Sequence, residues 1–490
     1  MNQRLVRLSL AAAAALTGCQ RPATPVAPPV DHQANVLSGL RAPAVVKGRA
    51  PTTWTLAERM AHYKLPGISI AVVDSGRIVW ARGIGLKVAG EPDSITPTTL
   101  FEAGSISKPV AQTAMLRLVE QGRLALDSNV NVYLKSWKLP DNKFTAREKV
   151  TLRRIASHNA GLTVHGFPGY ASTDTLPTVP EVLDGKKPRA NTEPVRVDTF
   201  PGAIWRYSGG GTTIMQMVLM DVTGTPFPAL LTELVLDPAG MTNSTYEQPI
   251  PAARIAETSG AHNAEGSLIP GRWHVYPEMA AAGLWTTPTD LLKWAMAIAA
   301  ARAGQSDQLL SKTMATQMLT VHKAPTGLGP FLEGSGRGFR FGHGGADEGF
   351  YADLLYFPET GQGAAVMING DGGPPILAEV MQAIGAEYGW PEYGPQEIVP
   401  IAMDSTAFDQ FAGVYRVATP FPLEILVTRE GSTFYLEAPG RAVKTEIVPT
   451  GPARFATVTD GQPFTFTLGK NGRATAVLAG DGSLKVPRVK

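Results

Sequence analysis

Two hydrophobic periods divide the chain. The run Gly67-Ile68-Ser69-Ile70-Ala71-Val72-Val73 and the run Arg77-Ile78-Val79-Trp80-Ala81 flank Asp74-Ser75-Gly76. Two apolar, β-rich runs across a tight glycine turn predict a hairpin. From Ser105 to Glu120 the period lengthens: Val110, Ala111, Ala114, Met115, Leu118 and Val119 recur at helical spacing, and Gly122 stops the helix. A helical pattern also begins near Trp54, and further helices are expected around 212–222, 228–235, 290–302 and 376–388. Strands return at 349–357 and 362–369, joined by the turn Pro358-Glu359-Thr360-Gly361. A hairpin near each end of this stretch predicts an α+β fold, in which an antiparallel sheet drawn from both ends is flanked by helices and covered by a helical middle. After Pro400 short runs at 413–415, 423–428, 433–437, 454–458 and 463–468 alternate with Gly, Pro and Asp turns. They predict a small all-β, barrel-like domain over 400–490.

Composition refines this picture at the amino-terminal end. A cationic start at Arg4 and Arg7 runs into the apolar stretch Leu8–Leu16 and then Leu16-Thr17-Gly18-Cys19. That stretch is too short to span a bilayer and reads as a secretory signal over 1–18. Leu-x-Gly-Cys resembles a bacterial lipobox, which implies lipidation of Cys19 and an exported protein tethered to a membrane, on the periplasmic face of the outer membrane. The other reading is a simple signal peptide with an incidental cysteine. Cys19 is the only cysteine, so no disulfide can form within the chain. Prolines 22, 25, 28, 29 and 43 mark 19–50 as an extended linker, with the main domain at 51–395. Among 490 residues, 44% are hydrophobic and 18% charged, which is globular composition. A formal net charge of +2 with scattered Lys and Arg gives no footprint for nucleic acid. The eight histidines form no His-Glu-x-x-His and no evident ligand pair, so neither a metal nor another cofactor is expected.

The chemistry concentrates in three segments. In Gly104-Ser105-Ile106-Ser107-Lys108, Ser105 lies at the start of a helix and Lys108 three residues on, on the same face. Helix-start N–H groups favour a developing oxyanion there. Serine needs a base to act as a nucleophile, and lysine serves only if burial and charge keep it unprotonated. A capping serine beside a solvated lysine would give the same letters. Trp205-Arg206-Tyr207-Ser208-Gly209 puts a tyrosine before a helix, where it could pass a proton to a leaving group. Phe341-Gly342-His343-Gly344-Gly345-Ala346 offers glycines where a strand edge can approach a substrate. The α/β-hydrolase elbow Gly-x-Ser-x-Gly is absent; around Ser69 the nearest match falls in an expected buried strand.

Ser-x-x-Lys, then Tyr-Ser-x, then His-x-Gly, in that order, resembles the serine β-lactamase and penicillin-binding protein superfamily. The nearest likeness is its class C-like branch, with family VIII carboxylesterases and D-aminopeptidase-like enzymes. Leu65-Pro66-Gly67-Ile68, Ser157-His158-Asn159-Ala160-Gly161-Leu162 and Thr287-Pro288-Thr289-Asp290 look like its framework segments. The resemblance implies a β-lactamase/transpeptidase-like fold, a nucleophile at Ser105, its base partner at Lys108 and a proton relay at Tyr207. His343 stands where a lysine or arginine is usual. The backbone N–H groups of Ser105 and Ala346 would form the oxyanion hole, and Ser208, Gly209, Gly344 and Gly345 would contact substrate. His158, in a framework segment, is expected to be structural. Gly209 replaces the asparagine of Tyr-x-Asn, with Ser208 as a partial substitute. Asp347 and Glu348 follow the third motif; if they line the site they disfavour a carboxylate-bearing substrate, and otherwise they face solvent. The implied activity is hydrolysis through an acyl-enzyme of a small ester, amide or D-amino-acid peptide, with a carboxylester or D-peptide ahead of a β-lactam. The alternative is a non-catalytic sensor that keeps the fold.

Overall fold

The computed structural model describes residues 30–417, 423–438, 443–479 and 484–489. The expected signal and the lipidation site at Cys19 lie outside them.

The centre is a six-stranded antiparallel sheet. Its strands are β1 (Gly67–Asp74), β2 (Arg77–Gly85), β3 (Phe331–Glu333), β4 (Arg340–Asp347), β5 (Phe350–Phe357) and β6 (Gln362–Ile368). Their order across the sheet is β3-β4-β5-β6-β1-β2. The two hairpins read from sequence meet where β6 pairs with β1, with Ala365 opposite Ala71. β1 is buried along almost its whole length, which explains its unbroken apolar run. Ala71 and Val73 face one core, and Ile68, Ile70 and Val72 face another. Four long helices pack around this frame: α1 (Ser107–Glu120), α2 (Gly209–Thr223), α3 (Pro288–Ala303) and α4 (Pro374–Glu387). α3 lies against β1 and β6 on one face, while α4 covers β6 on the other. α3 is capped by Thr287, carries Pro288 in its first turn and stops at Gly304 in the left-handed region (φ 73°). The arrangement is the α+β one expected, an antiparallel sheet drawn from both ends of the domain and flanked by helices.

One expectation fails here. Residues 32–46 were read as extended linker, yet His32–Ser38 form a helix that packs on α4 and buries Val36. Ala44–Val46 then pair in parallel with Gln396–Ile398. Four of the five prolines that suggest a linker, at 22, 25, 28 and 29, precede this segment, and Val36, Leu40, Ala44 and Val46 supply its buried apolar side chains.

Towards the carboxyl end eight more strands, β7 (Gly413–Val417), β8 (Leu423–Glu430), β9 (Thr433–Ala438), β10 (Val443–Pro449), β11 (Arg454–Thr457), β12 (Pro463–Leu468), β13 (Ala474–Ala479) and β14 (Leu484–Pro487), form one sheet in sequence order. A bridge between Tyr415 and Arg488 brings the first strand to the last, so the barrel-like sheet nearly closes on an aromatic core that includes Phe411, Phe455 and Phe466. β10, β13 and β14 escaped the sequence reading. β13, Ala474-Thr475-Ala476-Val477-Leu478-Ala479, carries too few β-branched or aromatic residues to stand out.

Candidate active site

Ser105 sits in a single 3₁₀ turn, Gly104–Ile106, that leads into α1. The helix therefore begins two residues later than expected, and the serine lies in the turn before it. Backbone contacts fix this turn from both sides. The short strand Phe101–Glu102 pairs with Trp285–Thr286, and Ala103 N–H donates to Leu284 O at 2.8 Å. Leu284 N–H donates to Ser107 Oγ at 3.0 Å, and the Tyr246 hydroxyl donates to Ser107 O at 2.7 Å. From the sheet side β4 presses in so closely that a Cβ on Gly104 would lie 2.4 Å from Ala346 N. Gly104 also has φ +51°, so a bare backbone is needed there on two grounds.

Lys108 is buried, and its Nζ lies 2.8 Å from Ser105 Oγ and 2.7 Å from Ala281 O, donating to both. The capping serine with a solvated lysine is thereby excluded. Ala281 belongs to a short helix, Met279–Ala282, which the sequence reading missed.

Tyr207 is brought to the same place from residues far along the chain. Lys108 Nζ stands 5.0 Å from the centre of its ring. The Tyr207 hydroxyl is buried and bonded to neither Ser105 nor Lys108. Its ring lies 4.3 Å from that of His158 and stacks at 6.4 Å on Phe331, with Trp205 at 6.4 Å and His343 at 6.0 Å (centroid distances). Phe331 and Trp205, to which the sequence assigns no role, complete an aromatic wall beside Ser105.

His343 is buried, and burial plus the neighbouring Lys108 push it down to about 3. It is a neutral imidazole at physiological pH, not the cation of the usual third motif. Its Nδ1 lies 2.5 Å from Gly344 O, and a carbonyl only accepts, so Nδ1 carries the proton and Nε2 presents a lone pair. His158, buried and held far below its ordinary value mainly by burial, is neutral too. Its Nδ1 accepts from Ser208 N–H at 3.2 Å, which ties the Ser157–Leu162 framework segment to the tyrosine loop.

Ser208 and Gly209 are both buried and packed into the start of α2. The Ser208 hydroxyl donates to Thr163 O at 2.8 Å and accepts from Gly211 N–H at 3.0 Å, so it caps α2 and does not replace an asparagine amide. Gly209 is buried, and a Cβ there would meet Phe167 at 3.0 Å and His165 O at 3.1 Å, which leaves no room for a longer side chain. Gly344 and Ala346, by contrast, are exposed along β4 with Gly345 half-buried between them. Ser69 is buried in β1, as expected.

The two acids after the third motif part company. Glu348 is exposed, whereas Asp347 is buried. Burial raises both Asp347 and the buried Glu102, which sit close enough to repel one another. Glu278, just before the helix that carries Ala281, is fully buried and pushed up to about 8 by loss of solvent. Between its ordinary value and about 8 the folded protein holds a proton there that the unfolded chain releases, so stability falls as pH rises through that window. Relative to Glu278→Gln, the wild type is expected to lose on the order of 3 kcal/mol between about pH 5 and pH 8. Denaturant midpoints of the two proteins across that range test this; parallel curves would contradict it. Among the described residues no cluster of His, Cys, Asp and Glu is arranged to hold a metal ion.

With this geometry in view, a model of the Beta-lactamase family matches residues 55–385. The D-aminopeptidase of Brucella anthropi is 26% identical over 325 residues, 65% of this chain and 58% of that protein. Protein flp of Staphylococcus aureus (strain N315) is 24% identical over 232 residues, 46% of this chain and 42% of that protein. The chain thus spans less than two thirds of the length of these curated relatives. The octameric penicillin-binding protein homologue from Pyrococcus abyssi superposes with a TM-score of 0.61 at 23% identity, over 87% of this chain and 94% of that one.

Proposed function

The chain belongs to the Beta-lactamase family, and from that premise we propose that it is a serine hydrolase working through an acyl-enzyme on Ser105. The observation that carries this reading is the 2.8 Å contact between Lys108 Nζ and Ser105 Oγ, made inside the protein. When the amine is unprotonated the hydroxyl donates across that contact, and Lys108 takes the proton as Ser105 Oγ bonds to the substrate carbonyl carbon. The oxyanion would rest on Ser105 N–H and Ala346 N–H, and the close approach of β4 to Gly104, the residue before Ser105, supports this reading. Collapse breaks the bond to the alcohol or amine leaving group, which takes a proton through Tyr207. Water then attacks the acyl-enzyme, and the acid departs.

The substrate is a small carboxylester or D-aminoacyl amide. Likeness to a D-aminopeptidase supports the second. Neutral His343 supports placing β-lactams last, because their carboxylate wants a cation beside this strand. The test is turnover of p-nitrophenyl butyrate, D-alanine p-nitroanilide and nitrocefin. Turnover of one of the first two, at least about 100-fold faster than nitrocefin and lost in Ser105→Ala, is expected; nitrocefin as the best substrate would overturn the substrate assignment. The domain limits at 51–395 and 400–490, export and the tether at Cys19 belong to this proposal. The rival reading, a binder that keeps the fold, draws on the Tyr207 hydroxyl, which contacts neither partner. It predicts no turnover of any of the three.

A further inference from the structure

The steps above use Tyr207 to carry a proton, yet its hydroxyl makes no hydrogen bond that would hold it beside Ser105 and Lys108. What fixes the tyrosine comes instead from the Ser157–Leu162 segment, and from His158 above all. The N–H groups on both sides of Tyr207 donate to this one residue: Arg206 N–H to His158 O at 2.7 Å, and Ser208 N–H to His158 Nδ1 at 3.2 Å. The imidazole also lies against the tyrosine, with ring centroids 4.3 Å apart and planes inclined by 32°. The residues beside it extend the contact. Asn159 O accepts from Gly202 N–H at 2.6 Å, and the Thr326 hydroxyl joins Ser157 O, at 3.0 Å, to the Trp205 indole N–H, at 3.2 Å. Residues 157, 158 and 159 thus each brace the loop 202–208.

The backbone of His158 separates the role of its ring from that of its turn. The residue follows the short helix Leu152–Ala156 and has φ +53°, in the left-handed region. Its N–H donates to Ile155 O at 3.1 Å and Asn159 N–H to Arg154 O at 2.9 Å, which closes the helix end. Glycine or asparagine is the ordinary residue at such a position, and either would serve the helix. A glycine, however, would leave the buried Ser208 N–H without its acceptor and Tyr207 without a ring to rest on. Because Nδ1 accepts, the proton of the neutral ring sits on Nε2, which is enclosed and has no partner. Neither ring nitrogen is therefore placed to take a proton from a substrate.

We propose that His158 is a positioning residue: by accepting from Ser208 N–H while its carbonyl holds Arg206 N–H, it sets Tyr207 where the phenol delivers the leaving-group proton. This rests on the proton relay through Tyr207 given above. The carbonyl contact is open to any residue at 158, so the side-chain acceptor is what makes histidine matter. Without that acceptor Ser208 shifts and carries the tyrosine with it, and protonation of the leaving group suffers more than attack by Ser105.

The readout is kcat/KM, which reports acylation, on two esters that share an acyl group: the p-nitrophenyl and ethyl esters of butyric acid, or of D-alanine if that acyl group is preferred. p-Nitrophenolate leaves without a proton, whereas ethanol needs one. Tyr207→Phe is expected to slow the ethyl ester about 100-fold more than the p-nitrophenyl ester. His158→Phe, which keeps a ring and loses the acceptor, is expected to show the same selectivity at about 10-fold. His158→Asn, whose Oδ1 can stand where Nδ1 stood, is expected to recover most of that loss. Combining Tyr207→Phe with His158→Phe should give no greater selectivity than Tyr207→Phe alone, because both act on one proton. A merely structural role would slow both esters alike. Equal slowing in His158→Phe, no recovery in His158→Asn, or added selectivity in the double variant each overturns the proposal. If His158→Phe does not fold, His158→Gln is read by the same criteria. Tyr207→Phe without any selectivity would instead sink the relay itself, so the two failures are distinguishable.

Discussion

Lys108→Met should lower turnover by about 1,000-fold while leaving a folded protein, the size of effect expected when a general base is removed from a nucleophile that cannot ionise alone. Methionine has nearly the length of lysine and no charge, so it fills the buried space between Ser105 and Ala281 O without the polar contacts made there. The comparison needs kcat/KM on the best substrate alongside a melting curve. Because Lys108 is only 2% exposed, replacing it with an apolar side chain removes a buried polar group and should not lower the melting temperature by more than a few degrees. A variant that keeps at least one tenth of wild-type kcat/KM would mean that another group activates the serine.

The second large effect is steric. A Cβ on Gly345 would stand 1.9 Å from Ala103 O and 3.3 Å from Ile106 Cγ1, so Gly345→Ala must push β4 away from the nucleophile turn. Overpacking of this kind costs about 2 kcal/mol or more, and displacing Ala346 N–H from Ser105 should cost about 100-fold in kcat/KM. The neighbour provides the control. At Gly344 the nearest atom to an added Cβ is Ala352 O at 3.9 Å, and Gly344→Ala should behave nearly as wild type in stability. Denaturant midpoints and kcat/KM for both variants decide the point. Equal effects at the two glycines would mean that the close approach of β4 to the turn is not what the site depends on.

Sequence carried the frame well because the strongest signals were local. The β1–β2 hairpin, α1, α3 and the β5–β6 hairpin each announce themselves by periodicity and by a turn or cap residue. The meeting of Ser105, Lys108, Tyr207 and His343 was legible only because the three motifs occur together in a familiar order; no local rule places residues so far apart on one another. Burial is what sequence hides. Asp347 and Glu348 are adjacent acids of equal appearance, yet one is enclosed behind the turn and the other is exposed. Ser208 looked like a polar group free to meet substrate, but its position just before three glycines makes it the cap of α2. Glu278 sits in an apolar stretch, Pro277-Glu278-Met279-Ala280-Ala281-Ala282, and that setting was the available hint that it is buried. Residues 32–46 misled in the opposite sense, since proline-rich sequence before them masked four apolar contacts with the body.

The account stands or falls on one covalent bond. After brief exposure to a fluorophosphonate probe at neutral pH, peptide mass spectrometry should find the adduct on Ser105 of the wild type, with labelling markedly slowed in Lys108→Met. An adduct located on any other residue, or a wild type left unmodified under conditions that label a known serine hydrolase, would contradict it.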